Sequence, residues 1–130
     1  MANAKIVKQW FTYAIRDLKA AKAIREMGPE YKSIVAFNCQ QCVEKSIKGF
    51  LVFHGLRPPK THTIKDLAHA IAQIDGSLAK KLHKADKLTK FAVAYRYPDA
   101  EKKPLTLKET DSALKLAQAI FDDLLARVDK

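Results

Sequence analysis

Nine polar side chains in this sequence are of types that could work together chemically: Asp17, Gln41, Glu44, Lys45, Lys48, His62, Arg96, Tyr97 and Asp99. An arginine can grip a phosphate through paired hydrogen bonds, lysines add positive charge, and a tyrosine ring can stack on a base. Carboxylates can orient such basic groups or a magnesium ion. Together these could make a nucleotide site. Gln41, Glu44, Lys45 and Lys48 also stand at i, i+3, i+4 and i+7, which is one row on a helix turning about 100° per residue. The row has a plainer explanation: Glu44 and Lys48 read equally as the i, i+4 pair of a solvated helix face, contributing about 0.3 kcal/mol.

Other chemistries lack their residues. Cys39 and Cys42 form a lone C-x-x-C in mid-helix. A structural zinc site needs two more ligands at suitable spacing, and a thioredoxin-type motif needs a strand before its cysteines. Both thiols fall on an apolar face, as small buried residues do. His54, His62, His69 and His83 show no H-E-x-x-H or similar spacing, so no metal site is expected. There is no glycine-rich phosphate loop and no G-x-S-x-G elbow, which leaves hydrolase and kinase readings without a motif.

The polar row must be carried by a central helix within Tyr31 to His54. Its periodicity puts Val35, Ala36, Cys39, Cys42, Val43, Ile47, Phe50 and Phe53 on one side and Asn38, Gln41, Glu44, Lys45 and Lys48 on the other. A first helix is expected from about Ala4 to Met27, stopped by Gly28-Pro29, with Val7, Phe11, Ala14, Leu18 and Ala21 facing inward. Beside that stripe runs the row Trp10, Ala14, Asp17, Ala21 and Ile24. Asp17 therefore sits at an apolar border and needs a partner, whether in a salt bridge, a backbone cap or a polar site.

Gly55 and the run Arg57-Pro58-Pro59-Lys60 form a stiff connector into Thr61-His62-Thr63. Thr63 followed by Asp66 predicts an N-cap, with a short third helix from near Ile64 carrying Leu67, Ala68, Ile71 and Ile74. His62 precedes that helix, where an imidazole either binds phosphate or satisfies a loop carbonyl. Gly76 ends the segment and Ser77 can cap a fourth helix, with Leu78, Leu82, Ala85, Leu88, Ala92 and Tyr95 on its inner face. The stretch from Arg96 to Pro104 reads as loop. Thr106 to Glu109 has the pattern of a capping box for a last helix reaching about Val128.

With 130 residues, 48% of them hydrophobic, and with few glycines, the chain is expected to fold as one all-α domain. The economical arrangement is an antiparallel up-and-down bundle of four to five helices. A formal charge of +10 draws phosphate-bearing partners without specifying them. The many lysines, such as Lys80, Lys81, Lys84, Lys87 and Lys90, read equally as solvated faces. The start MANAKIVKQWF has charge and a Trp where a signal peptide needs an apolar run, and no later run approaches membrane-spanning length. A cytoplasmic protein without membrane contact is the expectation.

The motifs taken together resemble the HEPN domain family. They are W-x3-A-x2-D-L-x2-A from Trp10 to Ala21, A-F-x-C-Q-Q-x2-E-K-x2-K from Ala36 to Lys48, T-H at Thr61-His62, and R-Y-P-D from Arg96 to Asp99. The resemblance implies a helical bundle, usually a homodimer, with a cleft at the subunit interface for nucleotides or RNA. It also implies a small nucleotidyltransferase as partner in a two-component, toxin-antitoxin-like module. A nucleotide, with or without magnesium, is the cofactor it suggests. Carried over residue by residue, Lys45, Lys48, Arg96 and Tyr97 would bind nucleotide or phosphate, and Asp17, Gln41, Glu44 and Asp99 would orient them. One departure stands out. Family members that cleave RNA without metal carry an arginine and a histidine separated by four to six residues, but Glu101, Lys102 and Lys103 occupy the matching positions after Arg96 here. An endoribonuclease would have to use Arg96 with another base, His62 being the candidate. A non-catalytic scaffold, its polar row serving protein contact alone, is a third reading.

Overall fold

The computed structural model describes residues 4–95 and 97–129. It is all-α, and no strand occurs among the described residues. The helices are α1 (Ala4–Arg25), α2 (Lys32–Phe53), α3 (Ile64–Ile71), α4 (Gly76–His83), α5 (Thr89–Val93) and α6 (Leu107–Val128), with 3-10 turns at Pro29–Tyr31 and Lys84–Leu88.

The fold is organised about α2, which packs against α1, α3, α5 and α6. The expected inner face is buried at Val35, Ala36, Cys39, Cys42, Val43, Ile47 and Phe50, but so are Gln40, Glu44, Ser46, Gly49 and Leu51 around the rest of the helix. Of its residues only Ile34 is exposed. The expectation of a solvated polar face is therefore corrected: α2 is a core helix covered on nearly every side.

Antiparallel packing of α1 on α2 follows from their pairings, with Asp17 meeting Lys45 and Trp10 meeting Lys48 and Gly49. Gly49 makes the approach possible. A Cβ there would lie 2.8 Å from Phe11 Cε2 and 2.9 Å from Trp10 Cβ, closer than packed carbons tolerate. Helix α6 lies antiparallel to α1 through the edge-on rings of Phe11 and Phe121, with centroids 6.0 Å apart, and through Arg25 Nε to Asp111 Oδ1 at 2.7 Å. Lys22 also donates to Gln118 across this contact.

The shorter elements depart from the sequence reading in instructive ways. The first helix closes at Arg25, and Met27 N bonds the Ile24 carbonyl in a tightened turn before Gly28, whose φ of 141° suits glycine. Thr63 does not cap α3 with its side chain. Thr89 Oγ1 accepts from Ile64 N at 3.0 Å and Asp86 Oδ1 from Lys65 N at 2.9 Å, so another part of the chain satisfies those donors. The fourth helix is capped by Asp75, which accepts from Leu78 N at 3.0 Å, and not by Ser77. It is also divided into α4, a 3-10 turn and α5. The break holds Asp86, whose carboxylate both reaches α3 and accepts from the Thr89 hydroxyl at 3.0 Å. Ala85 and Leu88 stay buried through it; the Ala92 side chain lies outside the described set. At α6 the capping box is complete, with Thr106 Oγ1 accepting from Glu109 N at 3.0 Å and Glu109 Oε1 from Thr106 N at 3.1 Å.

Candidate functional site

The i, i+4, i+8 spacing of Gln40, Glu44 and Lys48 puts all three on one side of α2, where the 61–63 loop lies against them. Only 5% of the Glu44 side chain is exposed. An ionised carboxylate offers only acceptors, and here donors from two elements fill them. Lys48 Nζ donates to Oε2 at 3.0 Å and Gln40 Nε2 to Oε1 at 3.2 Å. Gln41 Nε2 reaches Oε1 at a long 3.5 Å. His62 Nδ1 stands 3.0 Å from Oε1 and 3.2 Å from Oε2.

Gln40 ties the arrangement together. It is fully buried, and its Nε2 also donates to the His62 carbonyl at 2.8 Å while its Oε1 accepts from Gln41 Nε2 at 2.7 Å. The loop and the carboxylate are thus fixed by one amide. Because Glu44 accepts at His62 Nδ1, that nitrogen carries the hydrogen and Nε2 is left as the free lone pair of the neutral ring. The imidazole itself is 75% exposed.

One residue further along α2, Lys45 Nζ donates to Asp17 Oδ2 at 2.6 Å, both side chains being half-buried. Asp17 stands between Ala14 and Ala21, fully buried neighbours on α1, and this ammonium is the partner its position demanded. Lys48 Nζ lies 5.9 Å from the centroid of the Trp10 ring, within cation–π range. Asp17, Gln41, Glu44, Lys45, Lys48 and His62 therefore meet along the seam of α1, α2 and the 61–63 loop. Glu44 and Lys48 are not the exposed pair that spacing alone suggests.

The loop after α5 is a different case. Arg96 lies outside the described residues. Tyr97 is 72% exposed. Asp99 shapes its own turn, its Oδ1 accepting from Glu101 N at 3.1 Å and its carbonyl from Lys102 N at 3.2 Å. Among the described residues, no hydrogen bond or ion pair joins Asp99 to the α2 cluster. Of the residues standing where a catalytic histidine is absent, Lys102 donates to the Ala94 carbonyl and lies 5.3 Å from the Tyr95 ring centroid, holding the loop to the end of α5.

Sequence reasoning missed Gln40. The available signal was its i, i+4 spacing to Glu44, on a helix whose all-round burial periodicity did not reveal. Both cysteines are buried: burial, with a smaller contribution from Cys42, pushes the Cys39 thiol up to about 12, and burial pushes Cys42 up to about 12 against a hydrogen bond from Ser46, so the thiol form is favoured at both. Among the described residues, no three His, Cys, Asp or Glu side chains gather so as to hold a metal ion. No helix there is long and apolar enough to cross a membrane.

The HEPN domain family matches residues 7–127. The fold is similar to the crystal structure of an archaeal HEPN homologue, at 25% identity over 94% of this chain and 97% of that one, with a TM-score of 0.71. It is also similar to the crystal structure of a Thermus thermophilus protein, TT1696, at 25% identity over 92% of this chain and 96% of that one, with a TM-score of 0.75. No curated protein matches the chain.

Proposed function

Since the chain belongs to the HEPN domain family, we propose that it binds the phosphate of a nucleotide or RNA at the α1–α2 seam and acts with a small nucleotidyltransferase in a toxin-antitoxin-like module. The observation that carries the reading is the buried Glu44 and the donors gathered on it. Such a cluster is a poor way to stabilise a bundle, because apolar side chains of similar volume do as well or better by about 1–4 kcal/mol. What it achieves is direction. Glu44 holds the Lys48 ammonium and the His62 ring, and Asp17 holds Lys45, so that cationic groups face a ligand without reorganising.

In this reading Lys45 and Lys48 hold phosphate, with or without magnesium, and Asp17, Gln41 and Glu44 orient them. Arg96 and Tyr97 are assigned the phosphate clamp and base contact on family resemblance alone, with Asp99 beside them. The protein is a cytoplasmic homodimer whose cleft lies between subunits. Coexpression with a small nucleotidyltransferase, followed by sizing chromatography and nucleotide titration, tests the proposal. A stable complex and saturable nucleotide binding, with Arg96→Ala abolishing binding at unchanged melting temperature, are the expected results. A tight complex without nucleotide affinity would select the scaffold reading instead.

A metal-independent endoribonuclease is the second reading, and the pairing of His62 with Glu44 favours it. A carboxylate on Nδ1 fixes the tautomer and leaves Nε2 to take a proton from a ribose hydroxyl. Cleavage of single-stranded RNA in EDTA, lost in His62→Ala, is its signature; inert RNA at high protein concentration counts against it.

A further inference from the structure

The outer face of α1 carries a second set of groups. Ile6 and Tyr13 are 41% and 48% exposed and flank the half-buried Trp10 at about one helical turn on either side. With Gln9 these three line a surface cavity of about 260 Å³. Beyond Gln9 and Tyr13, which border both, a second cavity of about 420 Å³ is lined by Lys5, Lys8, Thr12 and Arg16. The Arg16 guanidinium lies 5.2 Å from the Tyr13 ring centroid, and Lys48 Nζ, itself paired with Glu44, lies 5.9 Å from that of Trp10. Among the described residues, no carboxylate lines either cavity.

Exposed aromatic rings beside Lys5, Lys8 and Arg16, with no carboxylate in the lining, suit a ligand that alternates flat apolar groups with negative charge. Single-stranded nucleic acid is built that way, and every base has a face that can stack. A second copy of this chain fits poorly. A two-fold contact through this face would bring two sets of Lys5, Lys8 and Arg16 together, with no carboxylate lining either cavity to pair them.

We propose that the outer face of α1 is a stacking platform for a single-stranded polynucleotide, with unpaired bases on Tyr13 and Trp10 and backbone phosphates on Lys5, Lys8 and Arg16. The proposal rests on the phosphate-binding reading of the α1–α2 seam and adds the class of ligand, a strand longer than one nucleotide. Lys48, which touches both Glu44 and Trp10, joins the platform to the seam.

Trp10 is the one tryptophan in the sequence, so its emission reports on the platform directly. The test titrates the full chain with oligouridylate of about ten nucleotides, a thymidine oligomer of the same length, and inorganic polyphosphate, following Trp10 emission and the anisotropy of labelled oligomer. Saturable quenching by an oligomer and none by polyphosphate is expected, and the two oligomers distinguish RNA from DNA as the source. Tyr13→Ala weakens binding about 5- to 150-fold, and Tyr13→Phe restores it. Replacing Lys5, Lys8 and Arg16 by alanine lowers the slope of log affinity against log salt by about two. Unchanged affinity in Tyr13→Ala, or equal quenching by polyphosphate, overturns the platform. A dimer that becomes monomeric in Tyr13→Ala at unchanged oligomer affinity assigns the face to a second copy and likewise overturns it. Loss of oligomer binding in Lys48→Ala but not in Tyr13→Ala removes the platform and leaves the seam standing; if the native chain binds neither ATP nor oligomer, both readings fall.

Discussion

Glu44 and Asp123 are each met by two basic side chains, yet the two sites do different things. Asp123, on α6, accepts from Lys81 Nζ at 3.0 Å and Arg127 Nε at 2.9 Å, and Arg127 also reaches Asp75 at 3.4 Å. A quarter of its side chain is exposed, against 5% for Glu44. Burial pushes the Asp123 carboxyl up, but hydrogen bonds from Arg127 and Lys81, with their charges, outweigh that and hold it below the usual carboxylate range. It is a surface staple between α4 and α6, and water screens what it contributes. At Glu44 water is excluded, the amides of Gln40 and Gln41 add further hydrogen bonds, and the direction of each donor is fixed. The difference shows where similar acid–base groupings become a fixed cluster: where packing removes the alternative of solvation.

The largest effect is expected at Glu44 itself. Glu44→Ala removes the shared acceptor of a buried cluster and should lower the unfolding free energy by about 3 kcal/mol in urea titration. A loss no larger than that of a surface pair would erase the contrast with Asp123. Gly49→Ala ranks next, at about 2 kcal/mol, because the added methyl meets Trp10 Cβ and the Phe11 ring and must push α1 from α2. It should also move Trp10 emission, whereas a change at α6 should not. Thr106→Ala loses a helix cap away from the seam, about 1 kcal/mol by thermal or urea unfolding, with nucleotide affinity unchanged.

Asp123→Asn has the smallest effect, about 0.5 kcal/mol near neutral pH. Its sign with pH is fixed. A carboxyl held low in the folded state contributes stability fully above its unfolded pKa and loses it as pH falls through the folded value. Urea titrations of the native chain should therefore show stability declining below about pH 4, with less of that decline in the asparagine variant. A decline identical in both would mean that the staple carries none of the acid sensitivity.

The long helices were legible because each shows an apolar stripe over 22 residues, and the α6 capping box because its partners are neighbours in sequence. That Asp17 needed a partner could also be read from its apolar neighbours. What could not be read came from elsewhere in the chain. The donors at the start of α3 are met by Thr89 and Asp86, 25 and 21 residues away, so the local Thr63 pattern misleads. Periodicity assigns one buried face, so it could not see that α3 and α5 also pack on α2 and that the 61–63 loop lies against Gln40 and Glu44. The candidate residues were visible by type; their burial, which separates this cluster from the staple at Asp123, was not.

Whether the Glu44 cluster positions cations for a phosphate can be decided by calorimetric titration with ATP and GTP at low and moderate salt, comparing the native chain with Lys48→Ala. Saturable binding that survives moderate salt is expected, weakened at least about tenfold in the variant by loss of a charge-assisted contact, at a temperature where circular dichroism shows both chains folded, since removing Lys48 also strips the buried Glu44 of its cation and lowers the melting temperature. Binding that disappears with salt, or that is indifferent to Lys48, would mean that the +10 charge alone attracts the nucleotide and that the Glu44 cluster positions nothing for it.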